Sequence, residues 1–284
     1  MMKRLNAMLG VIVVWAATGP GNPAQAAAVS MVSFGSLRAE LTDLDAGDSV
    51  TPSLSFFSAG VFDNYVYAEV QGDSSVVNDH FGSTLFEPAS RSAAAGAVSA
   101  LASISGNGTL GGTFIQAAGM ALGPGAFFSE VYVPLGEVPA NFTLTPNTRL
   151  VVSGLVNASV QTTIGAGEAA DAEVQLLLSG PSADGGPGFQ NSFDEIGLAL
   201  APPAEGPGTP GGQSDALSDQ LLSVSFVNAT AEPMTGRLES LVFANGSSSV
   251  VLPAIPEPGT AWLMLAGLLG LAMALRRTGR ARRF

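Results

Sequence analysis

The stretch Asp43-Leu44-Asp45-Ala46-Gly47-Asp48 sets three carboxylates within six residues around a glycine. Oxygen ligands at that density suit a hard cation such as Ca2+, with the glycine supplying a sharp turn. The spacing departs from the EF-hand, because Leu54 stands where that loop needs its closing acid. An Asx-rich turn between two strands uses the same residues without a metal, so Asp43, Asp45 and Asp48 carry both readings. No other cofactor is expected. Nucleophilic chemistry has little to work with: the chain has no cysteine, and His80 is its only imidazole, so a Ser-His-Asp site would have to use it. The nearest approach to a nucleophile elbow, Gly212-Gln213-Ser214-Asp215-Ala216, lacks the second glycine and follows a Gly/Pro-rich stretch instead of a strand. A glycosidase needs only a pair of carboxylates, but no pair among the 23 acidic residues stands in a recognisable context. Tyr65 and Tyr67 share one strand face and would offer a sugar-stacking surface, with ordinary packing on that face as the competing use. The expectation is therefore a protein that is not an enzyme.

The charge distribution narrows the partners. Lys3 and Arg4 stand at the front, Arg276, Arg277, Arg280, Arg282 and Arg283 at the back, and Arg38, Arg91, Arg149 and Arg237 between. All 23 acidic residues lie between Glu40 and Glu257, so the middle sets four arginines against 23 carboxylates, a formal −19. That surface repels phosphate backbones and excludes a nucleic-acid partner.

The elements that would position these residues follow a period of two. Val66, Ala68 and Val70 alternate with Tyr65, Tyr67 and Glu69; Leu150, Val152, Val156, Ala158 and Val160 alternate with Ser153, Asn157 and Ser159. Val174, Leu176 and Leu178 face away from Glu173 and Gln175, Leu222, Val224 and Phe226 alternate with serines, and Leu241 and Phe243 follow Arg237 and Glu239. The Ala-rich stretch Ser92 to Ile104 fits a strand or a helix. Residues 29–252 thus predict an all-β fold, a single antiparallel β-sandwich of jelly-roll-like type, with residues 201–213 (APPAEGPGTPGGQ) as a Gly/Pro-rich loop. Sequons at Asn107, Asn141, Asn157, Asn228 and Asn245 read as turns and Thr/Ser-rich strands.

Both flanks read as export signals. Residues 1–28 combine a basic start, an apolar run from Met8 to Ala17 and the small-x-small site Ala24-Gln25-Ala26, which predicts a helical signal peptide cut by signal peptidase after Ala26 or Ala28. At the other end, Pro256-Glu257-Pro258 precedes an uncharged run within residues 259–275 and then the five terminal arginines. At about 1.5 Å per residue that run reaches only roughly 22–25 Å, short of a ~30 Å hydrocarbon core. It predicts a short transmembrane helix, held by a cytoplasmic arginine stop with the large domain facing outward. The two prolines keep the triplet extended and out of the helix, leaving an accessible peptide at the membrane face.

The order of Pro256-Glu257-Pro258, apolar helix with Trp262, and arginine cluster over residues 255–284 resembles the PEP-CTERM sorting signal of Gram-negative bacteria. The resemblance implies recognition by an exosortase-like membrane protease, an inner-membrane precursor, and release or transfer to the cell surface, in bacteria that make exopolysaccharide and biofilm. Several middle stretches, such as LTDLDAGDSVTPSLSF (41–56) and FTLTPNTRLVVSG (142–154), are similar to those of PEP-CTERM surface proteins. The expected function is a non-enzymatic surface or extracellular-matrix protein associated with exopolysaccharide. The alternatives are a carbohydrate- or calcium-binding adhesion module, then a secreted polysaccharide hydrolase.

Overall fold

The computed structural model describes residues 27–57, 64–72, 75–83, 87–134, 141–163, 167–201 and 212–249. The signal segment apart from Ala27 and Ala28, the sorting segment 255–284 and nearly all of the loop 201–213 lie outside the described residues, so the two predicted flanking helices do as well. Ala26–Leu252 cluster as one unit.

Among the described residues fourteen strands run in order: β1 (Ala28–Asp43), β2 (Leu54–Phe57), β3 (Asn64–Gln71), β4 (Val76–Ser83), β5 (Ala89–Ala95), β6 (Val98–Gly106), β7 (Thr113–Ala121), β8 (Gly125–Pro134), β9 (Asn141–Leu144), β10 (Thr148–Thr162), β11 (Glu168–Pro181), β12 (Phe189–Leu200), β13 (Ser214–Asn228) and β14 (Met234–Ser248). They form two antiparallel sheets. One has the order β13-β10-β1-β7-β6-β5; the other has β12-β11-β14-β8-β3-β4, with β9 pairing the start of β14 and β2 pairing β9. The sheets stack as a sandwich, as the alternation requires: each strand hides alternate side chains and must bury them against a second layer.

Outside β14 the predicted inward residues are the buried ones. Val66, Val152, Val156, Val174, Leu176, Leu178, Leu222 and Phe226 join Phe34, Ile104, Ile115 and Phe142 in one core, where each large side chain contributes about 1.5–3 kcal/mol on leaving water. Four core phenylalanines lie over glycines. A Cβ would stand 2.6 Å from Phe34 at Gly154, 2.4 Å from Phe142 at Gly236, 2.8 Å from Phe226 at Gly180 and 2.6 Å from Phe127 at Gly246. Gly236 and Gly246 are the direct cross-strand partners of Phe142 and Phe127. The missing side chain opens the space that the ring fills.

Two local expectations change. Ser92 to Ile104 is neither one strand nor a helix: it falls across β5 and β6, which meet at Gly96-Ala97 with Ala95 paired to Val98. Gly96 has φ +60, the positive value that a tight hairpin turn demands and that glycine adopts without a Cβ clash. In β14 the buried side chains are Met234, Leu238, Ser240, Val242, Ala244 and Ser248, so Leu241 and Phe243 share the outer face with Arg237 and Glu239.

Side chains close both lateral margins of the sandwich. At one margin, β12 and β13 are the edge strands of their sheets. β12 turns Gln190, Ser192 and Asp194 inward, and they accept the outward backbone N–H groups of β13: Val227 to Gln190 Oε1 at 3.0 Å, Ser225 to Ser192 Oγ at 3.0 Å and Ser223 to Asp194 Oδ2 at 2.9 Å. Gln190 Nε2 also donates to the Val227 carbonyl at 2.7 Å, so its amide pairs with Val227 as a strand would. At the other margin, Arg91 of β5 donates through Nε to the His80 carbonyl of β4 at 3.2 Å, with its guanidinium 5.0 Å from the Phe81 ring centre. Inward-turned polar and charged groups on edge strands block pairing with another chain.

Candidate functional site

The Asp43–Asp48 segment leaves the end of β1, where Asp43 is paired with Thr148. Each carboxylate accepts the backbone N–H two residues on: Asp45 N to Asp43 Oδ1 at 2.9 Å, Gly47 N to Asp45 Oδ1 at 3.1 Å and Val50 N to Asp48 Oδ1 at 2.8 Å. This is successive Asx-turn geometry. Asn147, held at φ +48 in the turn before β10, clamps the loop by donating from Nδ2 to Asp48 Oδ2 at 2.7 Å while its carbonyl accepts Leu44 N at 2.7 Å. The Asn147 amide, helped by the Val50 N–H, holds the Asp48 carboxyl below its ordinary range. Among the described residues no group of three or more His, Asp or Glu side chains is placed to hold a metal ion.

Tyr65 and Tyr67 belong to a larger surface on the outer face of the second sheet. Register sets Tyr65 opposite Tyr132, and Tyr67 between His80 and Glu130; Glu130 in turn faces Phe243. The Tyr65 and Tyr67 rings stack at 5.7 Å and 13°, Phe128 lies 6.2 Å from Tyr67, and Phe243 stacks 6.5 Å from Phe128. Carboxylates take up the hydroxyls: Tyr67 donates to Glu69, and Tyr132 donates to Glu239 Oε1 at 2.7 Å, where Arg237 also binds. The Glu69 hydrogen bond pushes the Tyr67 hydroxyl up to about 12. Burial, then Glu239, pushes Tyr132 up, and burial alone raises Glu130. The two tyrosine rings cover each other's faces, which is strand-face packing; what meets solvent is a band of aromatic rings among carboxylates. Sequence reading found Tyr65 and Tyr67 but missed Phe128, Tyr132, Glu130 and Phe243, which only cross-strand register brings beside them.

The remaining candidates do not converge. His80 is on β4 and Ser214 opens β13, at opposite lateral margins of the sandwich. Ser214 and Asp215 line a shallow cleft of about 260 Å3 with Val29, Ser159 and Gln161. Ala24, Ala26, Pro256, Glu257, Pro258 and Arg276, Arg277, Arg280, Arg282 and Arg283 lie outside the described residues. Among the described residues no helix is long and apolar enough to cross a membrane.

In sequence the two-sheet sandwich is followed by the Pro-Glu-Pro triplet of residues 256–258. Residues 254–278 match the family model of the PEP-CTERM protein-sorting motif, and the chain carries that motif. The motif implies export and processing by an exosortase-type membrane protease. No curated protein matches the chain. Among solved structures, one chain from a study of "the promiscuous specificity of the carbohydrate-binding modules from the beta-sandwich super family" aligns with 77% of this chain and 98% of its own, at 11% identity and a TM-score of 0.12. A score that low carries no argument here.

Proposed function

We propose that the chain is a non-enzymatic surface protein of a Gram-negative bacterium, exported through a cleaved N-terminal signal, held briefly in the inner membrane by residues 259–275, and passed by an exosortase-type protease to an extracellular matrix rich in exopolysaccharide. The observation that carries this reading is the sorting motif at residues 254–278. Support for a structural role comes from the separation of Ser214 and His80 and from the Asx turns that occupy Asp43, Asp45 and Asp48. Intact mass of the mature protein tests the sorting step. An end near Pro256 to Gly259 supports it, and a mass that includes Phe284 refutes it.

A second reading, an adhesion module for carbohydrate or calcium, draws on the aromatic and carboxylate band around Tyr67, Phe128 and Glu130. Saturable binding to the producer's exopolysaccharide, lost in Phe128→Ala, supports it; no saturable binding leaves the matrix role alone. Calorimetric titration with Ca2+, repeated with Asp45→Ala, tests the cation form, and absence of heat in both samples removes it. Release of reducing sugar from the exopolysaccharide would point to the hydrolase instead.

A further inference from the structure

We propose that Glu130 and the rings of Tyr67, Phe128, Tyr132 and Phe243 form a site for an ammonium group, and that its ligand is an exopolysaccharide chain with free amines on its sugars. This assignment rests on the adhesion reading above, which asks only for a glycan, and adds the charge by which the glycan is selected.

Register builds the site. β8 lies between β3 and β14 in the second sheet, and the direct cross-strand neighbours of Glu130 are Tyr67 on one side and Phe243 on the other. Along β8 the next residues on the same face are Phe128 and Tyr132. Opposite Cβ atoms of an antiparallel pair stand about 4.5–5.5 Å apart, and same-face neighbours along a strand about 6.5 Å. One carboxylate therefore has an aromatic residue on each of its four sides. The rings also meet one another, with Tyr67 at 6.2 Å from Phe128 and Phe128 at 6.5 Å from Phe243.

Glu130 differs from the acids around it. Glu69 accepts from Tyr67, Glu173 from Gln175, Asp171 from Asn245, and Glu239 from Tyr132 and Arg237. Among the described residues no hydrogen bond or ion pair reaches Glu130, and burial is what pushes its carboxyl up. A half-buried carboxylate without a donor is costly to charge, and a cation is the group that removes the cost. Ring faces are negative and attract a cation from the sides, while the carboxylate supplies a full opposite charge. An ammonium gains from both; a hydroxyl or an acetamido group does not carry the charge that either rewards. The surroundings favour a polymer with several such groups. Glu69, Glu173 and Glu239 share this outer face by register, and its one arginine among the described residues, Arg237, is bound to Glu239. A chain of charged amines crossing the open sheet thus meets further carboxylates on either side of Glu130.

The test uses the protein purified after export of the full chain. It is titrated by calorimetry with a β-1,4-linked glucosamine oligomer, its fully N-acetylated counterpart and the matching glucose oligomer, at a mildly acidic pH where the amines are charged. The glucosamine oligomer should bind at least about tenfold more tightly than either neutral one. E130Q, of the same shape without the charge, should remove most of that preference. Phe243→Leu keeps the apolar bulk without the ring face and should weaken glucosamine binding about threefold. Glu195→Gln takes the same charge from exposed β12 on the same face and should change binding by less than about twofold. Carbon NMR should show the Glu130 carboxyl titrating lower once the glucosamine oligomer is bound, because a nearby cation favours the charged form. Equal affinity for all three oligomers, or binding to the producer's exopolysaccharide without binding to the glucosamine oligomer, leaves the adhesion reading standing and overturns the ammonium site. Binding to none of these glycans removes both. Equal losses in E130Q and Glu195→Gln would show net charge alone attracting the amines, which also overturns the site. If E130Q fails to fold, the oligomer series and the Glu130 midpoint of the unaltered protein still decide.

Discussion

Asp194→Ala removes the acceptor from the Ser223 N–H at the open margin of β13, where the bond is 2.9 Å long and partly buried. A hydrogen bond to a charged group contributes about 1.5–3 kcal/mol, and partial solvent access places this one toward the lower end, near 1–2 kcal/mol. Asp194→Asn keeps an oxygen acceptor without the charge and should lose only about half as much. In a domain of this size each kcal/mol lowers Tm by about 2–4 °C, so the alanine variant should melt about 2–8 °C early. Removing Gln190, Ser192 and Asp194 together frees three N–H groups on a fifteen-residue strand. It should add a second effect, self-association by strand pairing. The assays are urea unfolding, which reads the free energy, and sedimentation velocity, which reads the mass. Asn191→Ala, an outward residue of the same strand, is the control, with an expected change within about 0.5 kcal/mol. If Asp194→Ala unfolds at the control's midpoint and the triple variant sediments as a monomer, these side chains do not close the margin.

Gly119→Ala would place a Cβ 2.1 Å from the Phe127 ring, an overpacking that should cost about 1–3 kcal/mol by urea unfolding. Gly96→Ala meets nothing within 4 Å but sits at φ +60, so it should lose only the backbone strain of about 1–2 kcal/mol. The chain's three tyrosines, read by their ultraviolet absorbance, should form phenolate above the ordinary range, Tyr67 near pH 12. Because the folded value exceeds the unfolded value of about 10, the associated stability is full below pH 10 and falls as pH rises through 12; a Tyr67 midpoint at the unfolded value would remove the Glu69 bond. Asn147→Gly keeps the positive φ but deletes the clamp on Asp48, so that carboxyl should titrate higher by carbon NMR. Its depressed value stabilises the fold above the unfolded carboxyl pKa, a contribution lost as pH falls through the folded value, so the variant should respond less to acid.

The period of two made the sandwich legible because burial on one face needs only alternation, and Val174, Leu176 and Leu178 show it, as do Leu150, Val152, Val156, Ala158 and Val160 despite a buried Ser153. It misled in β14, where Leu241 and Phe243 lie outside: alternation separates two faces and leaves open which is inner when both are apolar. Ser92 to Ile104 was ambiguous because alanine carries little directional preference, and Gly96 decides it through a backbone angle. The aromatic band was half legible, since Tyr65 and Tyr67 are neighbours in sequence while Phe128, Tyr132 and Phe243 reach them only through the register of β3, β8 and β14. Nothing local marks Gln190, Ser192 and Asp194 as closing groups either. In sequence they are polar residues at inward positions, which reads as a weak strand until β13 is placed beside them.

Closing groups and net charge guard the protein at different ranges. The middle of the chain carries four arginines against 23 carboxylates, so like molecules repel at a distance, but at physiological salt that repulsion fades over about 8 Å. Edge pairing is decided inside that distance, where only the bonds at the margin count. The margin with three capped N–H groups is also the one where Phe189 (86% exposed), Phe193 (53%) and Leu221 (53%) meet solvent, so apolar contact would reward association most there. Salt should therefore separate the two devices. The unaltered domain, its edges still capped, should stay monomeric in sedimentation velocity as NaCl rises from about 0.02 to 0.5 M, while the triple variant goes from monomer to oligomer as screening lengthens its encounters. Equal association of both proteins at high salt would show that charge alone had kept the edges apart.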